Sequence, residues 1–260
     1  MIINGLKLVW ADEFDAGSLD RSLWEIYTQK YKADSPDNCV FIKDNRLYIG
    51  GDINDKSTDI YGCDIQTKRS IHFKYGYLEI KVKLARGPAA WSTFWLNSSS
   101  LPFDRLPEVD IYENFGRDDR IAHNLHRWWY DKDENGNKIH TAEHLHHDQF
   151  AQQTHWTLRN TYLPDGECFY EKFHRVGLHW TPEKMDFYLD GQCAVSVDIT
   201  GEYFKDFHQP MHIILGHEIK PEHAGISDTD NPSYDIFEYI RLYQDENGVF
   251  QDRRQQEITL

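Results

Sequence analysis

The chain has 260 residues, of which 40% are hydrophobic and 14% aromatic. That is enough apolar material for one sizeable core and too much for a disordered polymer. Its net charge of −15 lacks the basic footprint of a general nucleic-acid binder and counts mildly against a polyanionic ligand. No apolar run approaches the roughly 18 residues that a membrane helix needs, so no membrane span is expected. Strand-like runs punctuated by turn signals recur at residues 6–10, 39–43, 46–50, 77–84, 92–97, 109–113, 122–129, 175–180, 185–189, 194–197, 212–215 and 236–243. Asp190-Gly191 reads as a tight hairpin turn, and Asp44-Asn45 plays a similar part. Helical periodicity is confined to short turns at 103–106 and 202–207. Residues 131–153 form a long, polar, His-rich stretch without a clear period, which reads as a functional loop such as a cleft wall. Many evenly spaced strands and few helices predict an all-β, two-sheet sandwich or jelly roll. No linker, repeat or low-complexity tract divides the chain, so one domain is expected over residues 1–260.

The most informative stretch is Glu108-Val109-Asp110-Ile111-Tyr112-Glu113. Val109, Ile111 and Tyr112 are β-formers, so the run is a strand. Alternation puts Glu108 and Asp110 on one face and would send Glu113 to the other. A single β-bulge between Asp110 and Glu113 brings it back. Three anions on one face repel and raise each other's pKa, which gives the fold nothing. Two carboxyls flanking a sugar linkage, however, are the equipment of glycoside hydrolysis. The bland alternative is a half-exposed strand with a solvated acidic face.

The eight Trp and fifteen Tyr suit a carbohydrate cleft and equally suit a large β core. Cys39, Cys63, Cys168 and Cys193 contain no C-x-x-C pair, which argues against zinc. Two disulfides or four thiols are both compatible with them. His140, His144, His146, His147 and His155 lack a carboxylate–histidine pattern with zinc spacing, and no metal is expected. The opening Met1-Ile2-Ile3-Asn4-Gly5 has neither the basic region nor the apolar length of a signal peptide.

Several separated stretches share one pattern. They are Trp10-Ala11-Asp12-Glu13-Phe14-Asp15 with Leu23-Trp24, Asn38-Cys39-Val40 with Asn45-Arg46-Leu47, and Tyr75-Gly76-Tyr77-Leu78-Glu79-Ile80-Lys81-Val82-Lys83. Trp91-Ser92-Thr93-Phe94-Trp95-Leu96, the carboxylate hexapeptide, His179-Trp180-Thr181-Pro182 and Phe237-Glu238-Tyr239-Ile240-Arg241-Leu242-Tyr243 complete the series. In this order they resemble glycoside hydrolase family 16, over roughly residues 7–244. The resemblance implies a concanavalin-like β-jelly roll of two antiparallel sheets with a concave substrate cleft. It implies Glu108 as nucleophile, Asp110 as assisting acid and Glu113 as acid/base. The five-residue offset between the two glutamates is that of the bulged branch, which disfavours lichenase-type and xyloglucan-type activity.

The resemblance also implies substrate contacts. Trp91 is similar to the Trp that floors the sugar site, while Trp95 alternates to the same face but is expected to be structural. Asn38 resembles a substrate-contacting Asn, or is a turn residue. On the strand after the catalytic one, Asn124, His126 and Trp128 share the cleft face, and His123, Leu125 and Arg127 take the other. His126 resembles a His near the acid/base, and Trp128 or Trp129 offers a stacking platform. Arg69 stands where the family often places a basic or polar cleft residue, and its fork would suit a sulfate or carboxylate. A solvated surface Arg is the alternative.

The function expected is a retaining, endo-acting hydrolase of a β-linked polysaccharide. The Trp91–Leu96 and His123–Trp128 segments look closer to the galactan-active members (agarases, porphyranases, carrageenases), with a β-1,3-glucan as the alternative. A non-catalytic glycan-binding jelly roll would lack one of the carboxylates. No cofactor is expected. A structural calcium far from the cleft is a property of some members and is not legible here. A polysaccharide is the expected partner, the chain is expected to be a monomer, and a polymer-degrading enzyme is expected to be secreted or held at the cell surface or in the periplasm, its signal removed.

Overall fold

The computed structural model describes residues 5–27, 39–51, 61–98, 106–128, 131–132, 134–135, 138–139, 159–219 and 228–255. In chain order its strands are β1 (Lys7–Asp12), β2 (Glu25–Tyr27), β3 (Val40–Lys43), β4 (Arg46–Gly51), β5 (Tyr61–Gln66), β6 (Ile71–Lys74), β7 (Gly76–Lys83), β8 (Ala90–Asn97), β9 (Leu106–Asn114) and β10 (Arg120–Trp128). There follow β11 (Asp131–Lys132), β12 (Lys138–Ile139), β13 (Arg159–Tyr162), β14 (His174–Trp180), β15 (Lys184–Leu189), β16 (Gln192–Asp198), β17 (His212–Ile219), β18 (Ser233–Gln244) and β19 (Val249–Asp252). Short 3-10 turns at Glu202–His208 and Arg253–Gln255 are the helical elements among the described residues.

Two antiparallel sheets carry the architecture. The outer sheet runs β16-β15-β14-β7-β18-β4-β3, with β1 added to β18. The cleft sheet runs β13-β10-β9-β8-β17-β5-β2. This is the all-β jelly roll expected from the sequence. The strands alternate because both sheets bury one face. In β8, Ala90, Ser92, Phe94 and Leu96 are buried, while Trp91, Thr93, Trp95 and Asn97 are half-buried on the cleft side. The space between the sheets is filled by Trp24, Leu47, Phe73, Ile80, Phe94, Tyr112, Trp180, Phe187 and Phe237, all essentially inaccessible to water. Each such side chain contributes roughly 1.5–3 kcal/mol relative to an exposed one.

The hairpin at Asp190-Gly191 is present, with both residues at positive φ, and the Glu202–His208 turn covers the helical turn expected at 202–207. Residues 103–105, and all but a few of 131–153, lie outside the described residues. Beneath the site sits a buried polar cluster. Asp235 accepts from Ser92 Oγ at 2.8 Å and from the Ala85 amide at 2.7 Å. His217 lies 3.4 Å from the Asp235 carboxylate and 3.1 Å from Ser233 Oγ. Through Ser92 it ties β8, whose outer face floors the cleft, to β17 and β18.

Candidate active site

The site is built on β9 and its two neighbours. Against β8, Phe94 pairs with Tyr112 but the next residue, Trp95, pairs with Asp110, so Ile111 is supernumerary. Against β10, Ala122 pairs with Glu113 and Asn124 with Asp110, again leaving an extra residue on β9. This is the bulge that the spacing of the carboxylates required. Ile111 and Tyr112 both go into the core, and Glu108, Asp110 and Glu113 share the cleft face. His123 holds the bulge from beneath. Its Nδ1 lies 2.6 Å from the Ile111 carbonyl and must donate to it, which leaves Nε2 to accept from Thr161 Oγ1 at 2.8 Å. Burial pushes this imidazole down to about 4, so it is neutral at ordinary pH.

Glu113 is gripped at both oxygens. Trp91 Nε1 donates to Oε1 at 3.2 Å and Asn124 Nδ2 donates to Oε2 at 2.6 Å. Burial, and then the charge of Asp110, push the Glu113 carboxyl up to about 8, against the pull of these donors and of His126. A glutamic acid that keeps its proton at neutral pH is fitted to be a general acid. Asp110 is almost fully buried, accepts from Asn124, and is raised chiefly by desolvation. His126 Nε2 approaches its Oδ2 to 3.0 Å and lies 4.0 Å from Glu108 Oε1. Glu108, Asp110 and His126 place one polar atom each within 4.8 Å of one another. Among the described residues this is where a divalent cation could find three ligands.

Trp91 lies on the cleft face and stacks on Phe115, centroids 5.6 Å apart and planes at 23°. Trp95 is not part of the core. It is half-buried on the same face, opposite Asp110, and so is a cleft residue that sequence alternation indicated and the resemblance argued away. Beyond Glu113, a cavity of about 260 Å³ is lined by Glu113, Phe115, Arg117, Arg120, Ala122 and Asn160. Its wall is the β9–β10 turn. Asn114 organises that turn, its amide donating to the carbonyls of Arg117 at 2.6 Å and Arg120 at 2.8 Å. Gly116 takes φ +65° where a Cβ would strike the backbone of Pro88. Arg120 contacts the Tyr162 hydroxyl at 3.3 Å. Neither arginine is ion-paired to a carboxylate among the described residues.

Other sequence expectations fare differently. Asn124 and His126 are on the cleft face, where Asn124 Nδ2 donates to Glu113 and His126 Nε2 lies against Asp110. Arg69 is not beside the three carboxyls of β9. It sits in the turn after β5, its side chain 82% exposed and 3.3 Å from Glu25 on β2, the far edge of the cleft sheet. Sequence proximity to the β7 segment suggested the cleft, but the turn emerges from β5, three strands away from β9. Arg127 points away from the cleft and pairs with Asp206 at 3.3 Å. The backbone of Trp128 pairs with Leu106, and its side chain lies outside the described residues, as do Asn38, Trp129 and the five histidines at 140–155. Cys39, Cys63, Cys168 and Cys193 are all free thiols. Sequence reasoning missed His123 as the bulge anchor, and Phe115, Arg117, Arg120 and Asn160 as cavity walls. The signal for the wall was the turn grammar of Asn114-Phe115-Gly116, which folds the two arginines back over the end of β9.

A family model described as β-porphyranase A–D, GH16 domain, matches residues 8–244. The chain belongs to glycoside hydrolase family 16. It therefore carries a glycoside hydrolase domain of that family. Curated relatives include a glucan endo-1,3-β-glucosidase A1 from Niallia circulans, 22% identical over 94% of this chain and 39% of that protein. Another is a β-glucanase from Acetivibrio thermocellus, 27% identical over 90% of this chain and 62% of that protein. The chain thus spans about two fifths to three fifths of the length of these relatives. The catalytic domain of an endo-1,3-β-glucanase (laminarinase) from Thermotoga petrophila shares the fold with a TM-score of 0.72, at 21% identity, over 94% of this chain and all of that one.

Proposed function

We propose that this family 16 domain is a retaining, endo-acting hydrolase of a β-linked polysaccharide. The observation that carries the reading is the bulge in β9, which turns Glu113 back to the face of Glu108 while burial holds its carboxyl protonated. Glu108, the carboxylate nearest the His126–Asp110 pair, attacks the anomeric carbon, and Glu113 gives its proton to the departing glycosidic oxygen. A covalent glycosyl–enzyme results. Glu113, now ionised, takes a proton from water, which displaces Glu108 and restores the starting state. Asp110, raised by burial and hydrogen-bonded to His126, adjusts the charge that the nucleophile feels. Trp91 and Trp95 offer apolar faces to the sugar rings.

For the substrate, β-1,3-glucan is the first reading, because the glucan-cleaving relatives and the laminarinase-like neighbours favour it. A galactan is the second, favoured by the porphyranase description of the matched family model and by the two arginines beside Glu113. Such a polymer is met outside the cell, which supports an exported enzyme. The test is a reducing-end assay on laminarin, mixed-linkage β-glucan, agarose, porphyran, κ-carrageenan and xyloglucan, with Glu108→Gln as control. Release from laminarin alone supports the first reading, and release from a galactan alone the second. Full activity of Glu108→Gln on any of them sinks the mechanism.

A further inference from the structure

The alternation of β10 puts Asn124 in the cleft, where it reads as a substrate ligand. Its amide is otherwise engaged. Nδ2 donates to Glu113 Oε2 at 2.6 Å and the same amide donates to Asp110. A carboxylic acid has one O–H donor, its carbonyl oxygen is the stronger acceptor and its hydroxyl oxygen the weaker, and an amide nitrogen has hydrogens only to give. Both oxygens of Glu113 accept a hydrogen bond, and the much shorter one marks Oε2 as the carbonyl oxygen, which places the proton on Oε1. Oε1 meets only the Trp91 indole N–H, at a longer 3.2 Å, and an indole cannot accept the proton either. The O–H is thus carried by the oxygen nearer Trp91.

We propose that Asn124 is a positioning residue that anchors Glu113 through Oε2 and so fixes Oε1 as the oxygen that protonates the leaving group. This rests on Glu113 being the acid/base. Without Asn124 the carboxyl can rotate, its proton can sit on either oxygen, and a fraction of enzyme molecules presents the wrong one. Orientation of this kind is what general acid catalysis depends on, and the whole of that catalysis is worth roughly 10²–10⁴-fold. The amide also favours the ionised form of both carboxyls, so its loss raises the pH at which Glu113 gives up its proton. The charged and titratable groups that face Glu113 are Asp110 and Glu108 on β9, Arg117 in the β9–β10 turn, and Arg120 and His126 on β10. Beta-strand 8 contributes Trp91 and Thr93, and β13 contributes Asn160, none of them charged.

The experiment compares wild type with Asn124→Leu, and with Asn124→Ala in case the larger side chain does not fit. Each is assayed on the polysaccharide that wild type cuts best and on a 2,4-dinitrophenyl glycoside of the oligosaccharide released from it. The dinitrophenolate leaves without a proton, so it does not need the acid. The expected result is a fall in kcat/KM of roughly 10²-fold on the polymer, little change in kcat/KM on the dinitrophenyl glycoside, which reports the attack step alone and not the later step in which Glu113 acts as base, and a basic limb of the pH profile moved upward. Equal losses on both substrates overturn the proposal in favour of a structural role. A raised KM with kcat retained overturns it in favour of substrate binding, and a basic limb moved downward overturns the assigned direction of the hydrogen bond. Wild type inactive on every polymer overturns the acid/base reading itself, which is a different failure from any of these.

Discussion

His123 is the residue whose removal tests the bulge most directly. Its ring is buried and neutral, donates to the Ile111 carbonyl at 2.6 Å, accepts from Thr161 and packs 4.8 Å from the Phe187 ring. Replacement by Leu keeps most of the volume, so the cavity term is small, and removes both hydrogen bonds. Thr161 is half-buried and can turn its hydroxyl to water. The Ile111 carbonyl cannot, because Ile111 is fully buried, and an orphaned buried acceptor costs about 1–3 kcal/mol. For a chain of this size that corresponds to a melting temperature lower by roughly 2–6 °C. The effect on activity is larger in kind. Without the His123 donor the bulge loses a side-chain hydrogen bond that regular pairing does not need, so the strand gains by relaxing towards regular pairing, and a one-residue change of register sends Glu113 to the opposite face. We expect His123→Leu to lose most of its kcat at a temperature well below its own melting point, with its circular dichroism unchanged. A variant that melts within a degree of wild type and keeps full activity would refute the claim that His123 maintains the catalytic register.

The remaining predictions concern protons and thiols. Glu113 serves as an acid only while protonated, so activity on a polysaccharide should halve near pH 8 on the basic side, and a basic limb below pH 6 would contradict its buried setting. His123 is depressed to about 4, and His212 to about 3, by burial. A histidine depressed in the folded state takes its proton first in the unfolded chain, so its contribution is complete above the ordinary value of about 6.5 and is lost as pH falls towards 4. For His123 that loss is about 3 kcal/mol. Chemical denaturation followed from pH 7 to 4 should show a steep fall, made shallower in a folded His123→Leu variant; equal slopes would refute it. Cys39 and Cys63 are buried thiols that hydrogen-bond to each other. Mild oxidation should link them and raise the stability by roughly 3 kcal/mol for a loop of this length, while exposed Cys193 continues to react with thiol reagents. Four titratable thiols after oxidation, with an unchanged melting temperature, would exclude the link.

How much of this was legible follows from what a period-2 pattern can carry. Glu108, Asp110 and Glu113 could be placed on one face because the spacing left a single bulge as the solution, and β8, β10, β14, β15 and β18 were visible as apolar alternation. Strand β5 was not. Tyr61-Gly62-Cys63-Asp64-Ile65-Gln66 carries Gly and Asp, which are poor β-formers, yet it pairs along β17 from Tyr61 to Gln66. It does so because Gly216, opposite Asp64, lacks the Cβ that would collide with the Asp64 and Thr93 side chains. That compensation lies on another strand and leaves no mark in the segment itself. The short strands β2, β13 and β19 were missed for a similar reason: they are edge or paired ribbons of three or four residues. At the site, alternation told which side of β10 Asn124 and His126 occupy. It could not tell that Asn124 Nδ2 and His126 Nε2 are set against the carboxyls, because that depends on the offset introduced by the bulge in the neighbouring strand.

The same offset explains why three carboxylates can stand together in a chain that is already strongly negative. Two ways exist to keep such a group in a fold: pair it with cations, or deprive it of water so that it takes up a proton. An arginine paired with Glu113 would lower its pKa by roughly one to three units and leave it ionised, useless as an acid. Here the partners of Glu113 are the neutral Trp91 and Asn124, and burial dominates its pKa. Among the described residues the arginines are kept off the carboxyl: Arg117 and Arg120 line the cavity beside Glu113 without pairing to it, and His126 is placed against Asp110. The arginines can therefore act on whatever enters the cavity without discharging the acid beside it. Moving one of them onto Glu113 would make the fold more comfortable and the site inert, and that opposition is the reason to read the arrangement as catalytic rather than as an accident of an acidic strand.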